Sequence, residues 1–280
     1  DIYDIRSSNR KDRTNLNCPQ LALQWISDSN IASAGADGII YVNGVQIGFH
    51  DAPISSLCLS ETNHILASGS YDGVVKFWDS RTYQFITDFS MKDKIFCMAS
   101  ASPNKIVCGC LENRIVSLDC KTFEHSFLKT IHGYNMRQIA ALNSIVATSV
   151  VQGRVAITNL QDPTNKYAFK AHIGDQRNDS QIQNIDNPTK TVYPINALCF
   201  QPNTEFLATG GTDGIINIWN IKKKRRLATL LDSNGRPFDT SISSLSFSND
   251  GSILAASVSY CFELGPVEHP PDRLIIYTIQ

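Results

Sequence analysis

Three cations near the middle of the chain, Arg137, Arg154 and Lys170, have few acidic neighbours in sequence. Clustered cations without carboxylates repel one another, so such a set is usually kept for an anionic ligand. A second pattern occurs twice: His50, Ser68, Asp72 and Trp78, then His172, Thr209, Asp213 and Trp219. Histidine between a carboxylate and a hydroxyl suggests nucleophilic hydrolysis, but a single active site would not be duplicated. Buried acids and imidazoles need hydrogen-bond partners, and two structural sets meet that need in two places.

Other chemistry finds little support. There is no Gly-rich phosphate loop, His-Glu-x-x-His or Gly-x-Ser-x-Gly. The histidines at 50, 64, 125, 132, 172 and 269 are not at metal-ligand spacing. The eight cysteines form no Cys-x-x-Cys pair, and most lie in apolar runs, which reads as reduced, buried thiols of a cytosolic or nuclear protein. The run Lys222-Lys223-Lys224-Arg225-Arg226 reads as a solvated turn, with nuclear import or nucleic-acid contact as the alternatives. Aromatic interleaving for base stacking is absent there. A net charge of −1 argues against bulk-field binding to nucleic acid or anionic membrane. No apolar run reaches the roughly 18 residues of a membrane span, and no signal-peptide apolar region opens the chain.

The elements that must position these residues are short strands. With 42% apolar and 18% charged residues, the 280-residue chain can bury a sizeable core. Ala36-Asp37-Gly38, Tyr71-Asp72-Gly73 and Thr212-Asp213-Gly214 each sit between two apolar runs, the mark of a hairpin. Val151-Gln152-Gly153 and Leu111-Glu112-Asn113 are degenerate forms. The run after the turn ends at Tyr3, Val42, Trp78, Leu118 and Thr158, at intervals of 39, 36, 40 and 40 residues. Trp219 and Tyr277 follow after 61 and 58, the excess being a polar stretch at 173–191 and a Pro-rich one at 261–271, both read as inserted loops. No window carries a 3.6-residue apolar period, so helices should be minor.

A period near 40 with four short strands and Trp-Asp endings resembles the WD-repeat β-propellers. The expected fold is a single all-β domain, a seven-bladed WD-repeat propeller. The expected blades lie at about 20–50, 51–90, 93–130, 134–172, 192–232 and 240–280, with a partial first blade at 1–7. Roughly one repeat, about 40–45 residues, is expected before Asp1. The two His, Ser or Thr, Asp and Trp sets match the structural hydrogen-bond sets of that family. In an antiparallel blade, the start of the first strand, the second turn and the end of the fourth strand share one end. Arg137, Arg154 and Lys170 should therefore gather at one rim.

Further segments resemble the spindle-checkpoint propellers of the "budding uninhibited by benzimidazole" type. They are Gly153-Arg154-Val155-Ala156-Ile157, Tyr167-Ala168-Phe169-Lys170-Ala171-His172, Val192-Tyr193-Pro194-Ile195-Asn196-Ala197 and Glu268-His269-Pro270-Pro271-Asp272. The resemblance implies a non-enzymatic, cofactor-free adaptor at the kinetochore of mitotic chromosomes in the nucleus, a monomeric propeller within a complex. The implied partners are the Gle-binding-sequence motif of checkpoint kinases and phosphorylated Met-Glu-Leu-Thr repeats of the outer-kinetochore scaffold. By the same resemblance Arg154 and Lys170 are the phosphothreonine contacts and Arg137 pairs with glutamates of the partner motif. Tyr71 replaces a top-face Trp, keeping a stacking surface of smaller area. Membrane and direct nucleic-acid contacts are not expected. The related messenger-RNA export propeller of the Rae type, which binds a nucleoporin segment, is the alternative.

Overall fold

The computed structural model describes residues 2–4, 7, 9–60, 62–111, 114–129, 136–175, 190–262 and 265–279. The turn Leu111-Glu112-Asn113, His132 and most of the 173–191 stretch therefore fall wholly or partly outside the described residues. The chain divides into two compact units, Asp1–Thr130 with Ala141–Ser144, and Ile131–Ala140 with Ile145–Gln280.

In the first unit, β1 (Ile2–Tyr3) and β2 (Arg10–Asp12) pair as a hairpin. β3 (Gln20–Trp25), β4 (Ile31–Gly35), β5 (Ile39–Val42) and β6 (Val45–Phe49) form an antiparallel sheet in chain order. The same order holds for β7 (Ile54–Ser60), β8 (Ile65–Ser70), β9 (Val74–Asp79) and β10 (Phe85–Ser90). It holds again for β11 (Ile95–Ser102), β12 (Lys105–Cys110), β13 (Arg114–Asp119) and β14 (His125–Lys129).

In the sheets of the second unit, β15 (Met136–Leu142), β16 (Ile145–Val150), β17 (Arg154–Asn159) and β18 (Lys166–Lys170) repeat the pattern. β19 (Ile173–Asp175) and β20 (Lys190–Val192) pair with each other. β21 (Ile195–Phe200), β22 (Phe206–Gly211), β23 (Ile216–Asn220) and β24 (Arg225–Leu230) follow. Last come β25 (Ile242–Phe247), β26 (Ile253–Val258) and β27 (Arg273–Thr278), a sheet of three strands.

This is an all-β WD-repeat propeller architecture, and no α-helix occurs among the described residues. Two expectations need correction. Six blade sheets are described rather than seven, because β1 and β2 make only a two-stranded hairpin. The 173–191 stretch is not loop at its ends, since β19 and β20 pair from Ile173 with Val192 to Asp175 with Lys190.

The strand pattern follows from where each strand lies. Every residue of β8 is buried, whereas β10 alternates and is largely exposed. A strand covered on both faces favours small residues where the next sheet approaches. A Cβ on Gly69 would come within 2.9 Å of the Ile95 side chain, and one on Gly210 would collide with Ile242. Ala67, Phe77, Ile95, Ile106 and Leu118 belong to one core in the first unit. Ala208, Ile216, Ile242 and Leu254 belong to another in the second.

The first strand of a blade carries a device that sequence pattern does not show. The register slips at its second residue in β3, β7, β11, β21 and β25. Such bulges re-aim one side chain at the end of a sheet. The bulged residues are Leu21, Ser55, Phe96, Asn196 and Ser243, and Arg137 holds the corresponding second position of β15.

Candidate functional site

The rim of the β15–β18 sheet is built by hairpin geometry. Arg154 opens β17 just after Gly153, which takes a φ of 64°. A Cβ there would collide with the His172 carbonyl oxygen, so this close approach excludes a side chain. The Gly153 carbonyl accepts from the Ala171 N–H at 2.8 Å and the His172 N–H at 3.1 Å, and the Tyr193 N–H donates to the His172 carbonyl at 3.0 Å. These bonds tie the turn to the end of β18.

Arg154 lies directly opposite Lys170 in the β17–β18 ladder. Cβ atoms of directly opposed residues are about 4.5–5.5 Å apart, and like charges there destabilise the pair. Among the described residues neither side chain has an ion-pair or hydrogen-bond partner, and Lys170 is exposed. Arg137 is also exposed, at the start of β15, hence at the same end of the sheet as the β16–β17 turn. Its Nη2 donates to Asn196 Oδ1 at 2.5 Å. The structure thus brings the three cations to one end of one sheet, and none is tied to a described carboxylate. Sequence reading did not single out Asn196, because the register slip that places it between Ile195 and Ala197 shows only in the strand pairing.

Tyr71 lies in the first unit, in the turn between β8 and β9. Its ring meets Phe96 edge to face, with centroids 5.8 Å apart. Phe96 is a further aromatic that sequence reading did not single out.

The two buried polar sets are assembled alike. His50 Nδ1 lies 3.0 Å from Asp72 Oδ2 and Nε2 lies 2.8 Å from Ser68 Oγ, to which the Trp78 indole donates at 3.0 Å. His172 Nδ1 lies 2.9 Å from Asp213, Nε2 lies 2.8 Å from Thr209 Oγ1, and Trp219 donates to that hydroxyl at 3.0 Å. In each set the carboxylate accepts the Nδ1 proton, Nε2 accepts from the hydroxyl, and the hydroxyl accepts from the indole. A nucleophile needs access and a free lone pair. Ser68 and Thr209 are both 0% exposed and already engaged, so the sets do structural work.

Burial holds the His50 pKa below its ordinary 6.5, outweighing the opposing pull of Asp72. The unfolded chain therefore binds the proton more readily. His50's share of stability is complete above 6.5 and is lost as pH falls through its folded value. Melting temperature is expected to fall between pH 7.5 and 5.5, and the fall should be shallower in His50→Gln. Equal slopes would remove His50 from that dependence.

All eight cysteines are free, and five are buried. Burial pushes the Cys110 thiol up to about 12 and the Cys120 thiol to about 11. No group of three or more His, Cys, Asp or Glu could hold a metal among the described residues. Among the described residues no helix is long and apolar enough to cross a membrane. The basic run only half matches a turn: Arg225 and Arg226 already belong to β24.

The family model for the WD domain, G-beta repeat, matches residues 45–79 and 181–220. The chain is 31% identical over 245 residues to the mitotic checkpoint protein bub3 of Dictyostelium discoideum, covering 84% of this chain and 69% of that protein. It is 29% identical to the mitotic checkpoint protein bub-3 of Caenorhabditis elegans, covering 92% and 76%. It is 25% identical to the poly(A)+ RNA export protein of Schizosaccharomyces pombe, covering 88% and 70%. Among solved structures, U3-55K matches with a TM-score of 0.64 at 16% identity, covering 95% of this chain and 97% of that one, a likeness of fold alone.

Proposed function

This chain belongs to the Bub3 family of WD-repeat mitotic checkpoint proteins, and we propose that it is a non-enzymatic adaptor of the spindle assembly checkpoint, acting in the nucleus at the kinetochore of mitotic chromosomes. In this reading Arg154 and Lys170 clasp the phosphothreonine of phosphorylated Met-Glu-Leu-Thr repeats on the outer-kinetochore scaffold. Arg137 meets glutamates of the Gle-binding-sequence motif of checkpoint kinases, and Tyr71 supplies a stacking surface for the same motif. The observation that carries the reading is the direct opposition of Arg154 and Lys170 at a strand end, without a described counter-ion. Such a pair costs folding energy on its own, and a bound phosphate removes the repulsion.

The test is a titration with a Met-Glu-Leu-Thr peptide in phosphorylated and unphosphorylated form, with the kinase motif present. Phosphorylation is expected to tighten binding by at least about tenfold, one charge-assisted bond or more. Equal binding of both forms would refute the phosphate reading. Similarity to the poly(A)+ RNA export protein supports a second reading, an adaptor that binds a nucleoporin segment. Copurification from mitotic cells separates the two: a checkpoint kinase favours the first, a nucleoporin the second.

A further inference from the structure

The two tryptophans of the buried sets have different surroundings. Trp78 is 4% exposed. Its cross-strand partner Phe85 meets it edge to face at 5.6 Å, and Gly48 of the neighbouring sheet lies against its ring. Trp219 has Arg226 as cross-strand partner, and Arg226 Nη1 turns to Asn217 Oδ1 at 3.4 Å. No aromatic cap lies across the strand from Trp219, which is only half-buried.

The result is a pocket of about 300 Å³ between the outer strand β18 and the β23–β24 hairpin. Its wall includes Tyr167, Phe169, Trp219 and Ile221, with Lys224 and Arg225 at one side. The wall is held in shape: Tyr167 donates its hydroxyl to the Ile221 carbonyl at 2.6 Å. Of the five cations from Lys222 to Arg226, only Lys222 has an ion pair among the described residues, with Glu205 at 3.0 Å. On β18 beside the pocket, Lys166 adds a further exposed cation.

We propose that this pocket binds an acidic peptide segment of a partner protein, which inserts one aromatic or leucine-sized side chain. The charge of the rim selects the acidic flanks, and the pocket selects the anchor. Single-stranded nucleic acid fits less well, because stacking needs free ring faces. Lys224 Nζ lies over the Tyr167 ring at 4.5 Å, and Trp219 packs on Phe169 with centroids 4.7 Å apart. This site is separate from the Arg154–Lys170 rim and stands whether or not that rim binds phosphate.

The probe is a fluorescein-labelled poly-glutamate peptide with a central phenylalanine, followed by fluorescence polarisation on the intact chain. Two control peptides carry alanine for the phenylalanine, or lysines for the glutamates. Binding of the first is expected to be at least about tenfold tighter than of either control, since a lost apolar anchor alone costs that much. Lys224→Glu with Arg225→Glu should weaken it by about tenfold or more, with only the small fall in melting temperature that loss of the exposed Lys224–Tyr167 contact brings. Absence of binding overturns the proposal. So does equal binding of the alanine peptide, which would mean attraction by charge alone. Displacement of the probe by oligouridylate at lower concentration than by unlabelled peptide would make the site one for nucleic acid and overturn it too.

Discussion

Replacing Arg154 and Lys170 together by alanine is expected to weaken binding of a phosphorylated Met-Glu-Leu-Thr peptide by a hundredfold or more. Each charge-assisted hydrogen bond to phosphate contributes roughly 1.5–3 kcal/mol, and about 1.4 kcal/mol is a factor of ten. Two lost contacts thus exceed roughly 3 kcal/mol. The chain itself should be no less stable, since the substitution removes two like charges set directly opposite one another. Loss of affinity with unchanged melting is the signature of a binding role. Arg154→Lys sharpens the test, because it keeps the charge and removes the fork. An intermediate loss is expected. If calorimetric titration finds the double variant equal to the parent, the phosphothreonine assignment fails.

The second large effect concerns folding. Removal of the Asp72 carboxylate is expected to be strongly destabilising. Its side chain is 12% exposed and accepts from His50 Nδ1 at 3.0 Å, the Asp51 N–H at 3.1 Å and the Val74 N–H at 2.8 Å. The His50 side chain is 0% exposed, so water does not replace its lost partner. Asp72→Ala is expected to cost about 2–4 kcal/mol: the buried His50 donor is orphaned at roughly 1–3 kcal/mol, and two peptide N–H bonds nearer the surface are lost. Denaturant unfolding measures this directly. Asp72→Asn keeps an acceptor oxygen and should cost less. A loss under about 1 kcal/mol would mean that the His50, Ser68 and Trp78 chain does not depend on its carboxylate.

The family resemblance and the chemistry of the candidate rim were legible in the sequence because they rest on short-range order. Asp-Gly turns between apolar runs force antiparallel neighbours, and that alone sends the residue after one turn and the last residue of the following strand to the same end. Arg154 and Lys170 therefore had to meet, whatever the packing of the rest. The residues of each buried set were readable from the family spacing: His50 and His172 follow the end of an outer strand, Asp72 and Asp213 sit in a hairpin turn, and each pair must meet or lose its hydrogen bonds.

What tertiary structure alone decided lies between sheets or at register slips. The hydrogen bond from Arg137 to Asn196 joins residues 59 apart in two different sheets. The edge of Tyr71 on Phe96 needs a bulge that no two-residue alternation reveals. Among the described residues there are six blade sheets, while the partial blade expected at 1–7 pairs only as the β1–β2 hairpin, and the ends of a supposed loop pair as β19 and β20. Trp78 and Trp219 sit in matching sets, yet one is capped by Phe85 and the other looks onto a pocket. The reason is the same throughout. Periodicity reports which face of a strand is buried, but the neighbour across a sheet-to-sheet gap depends on the angle and register at which two separately formed sheets pack.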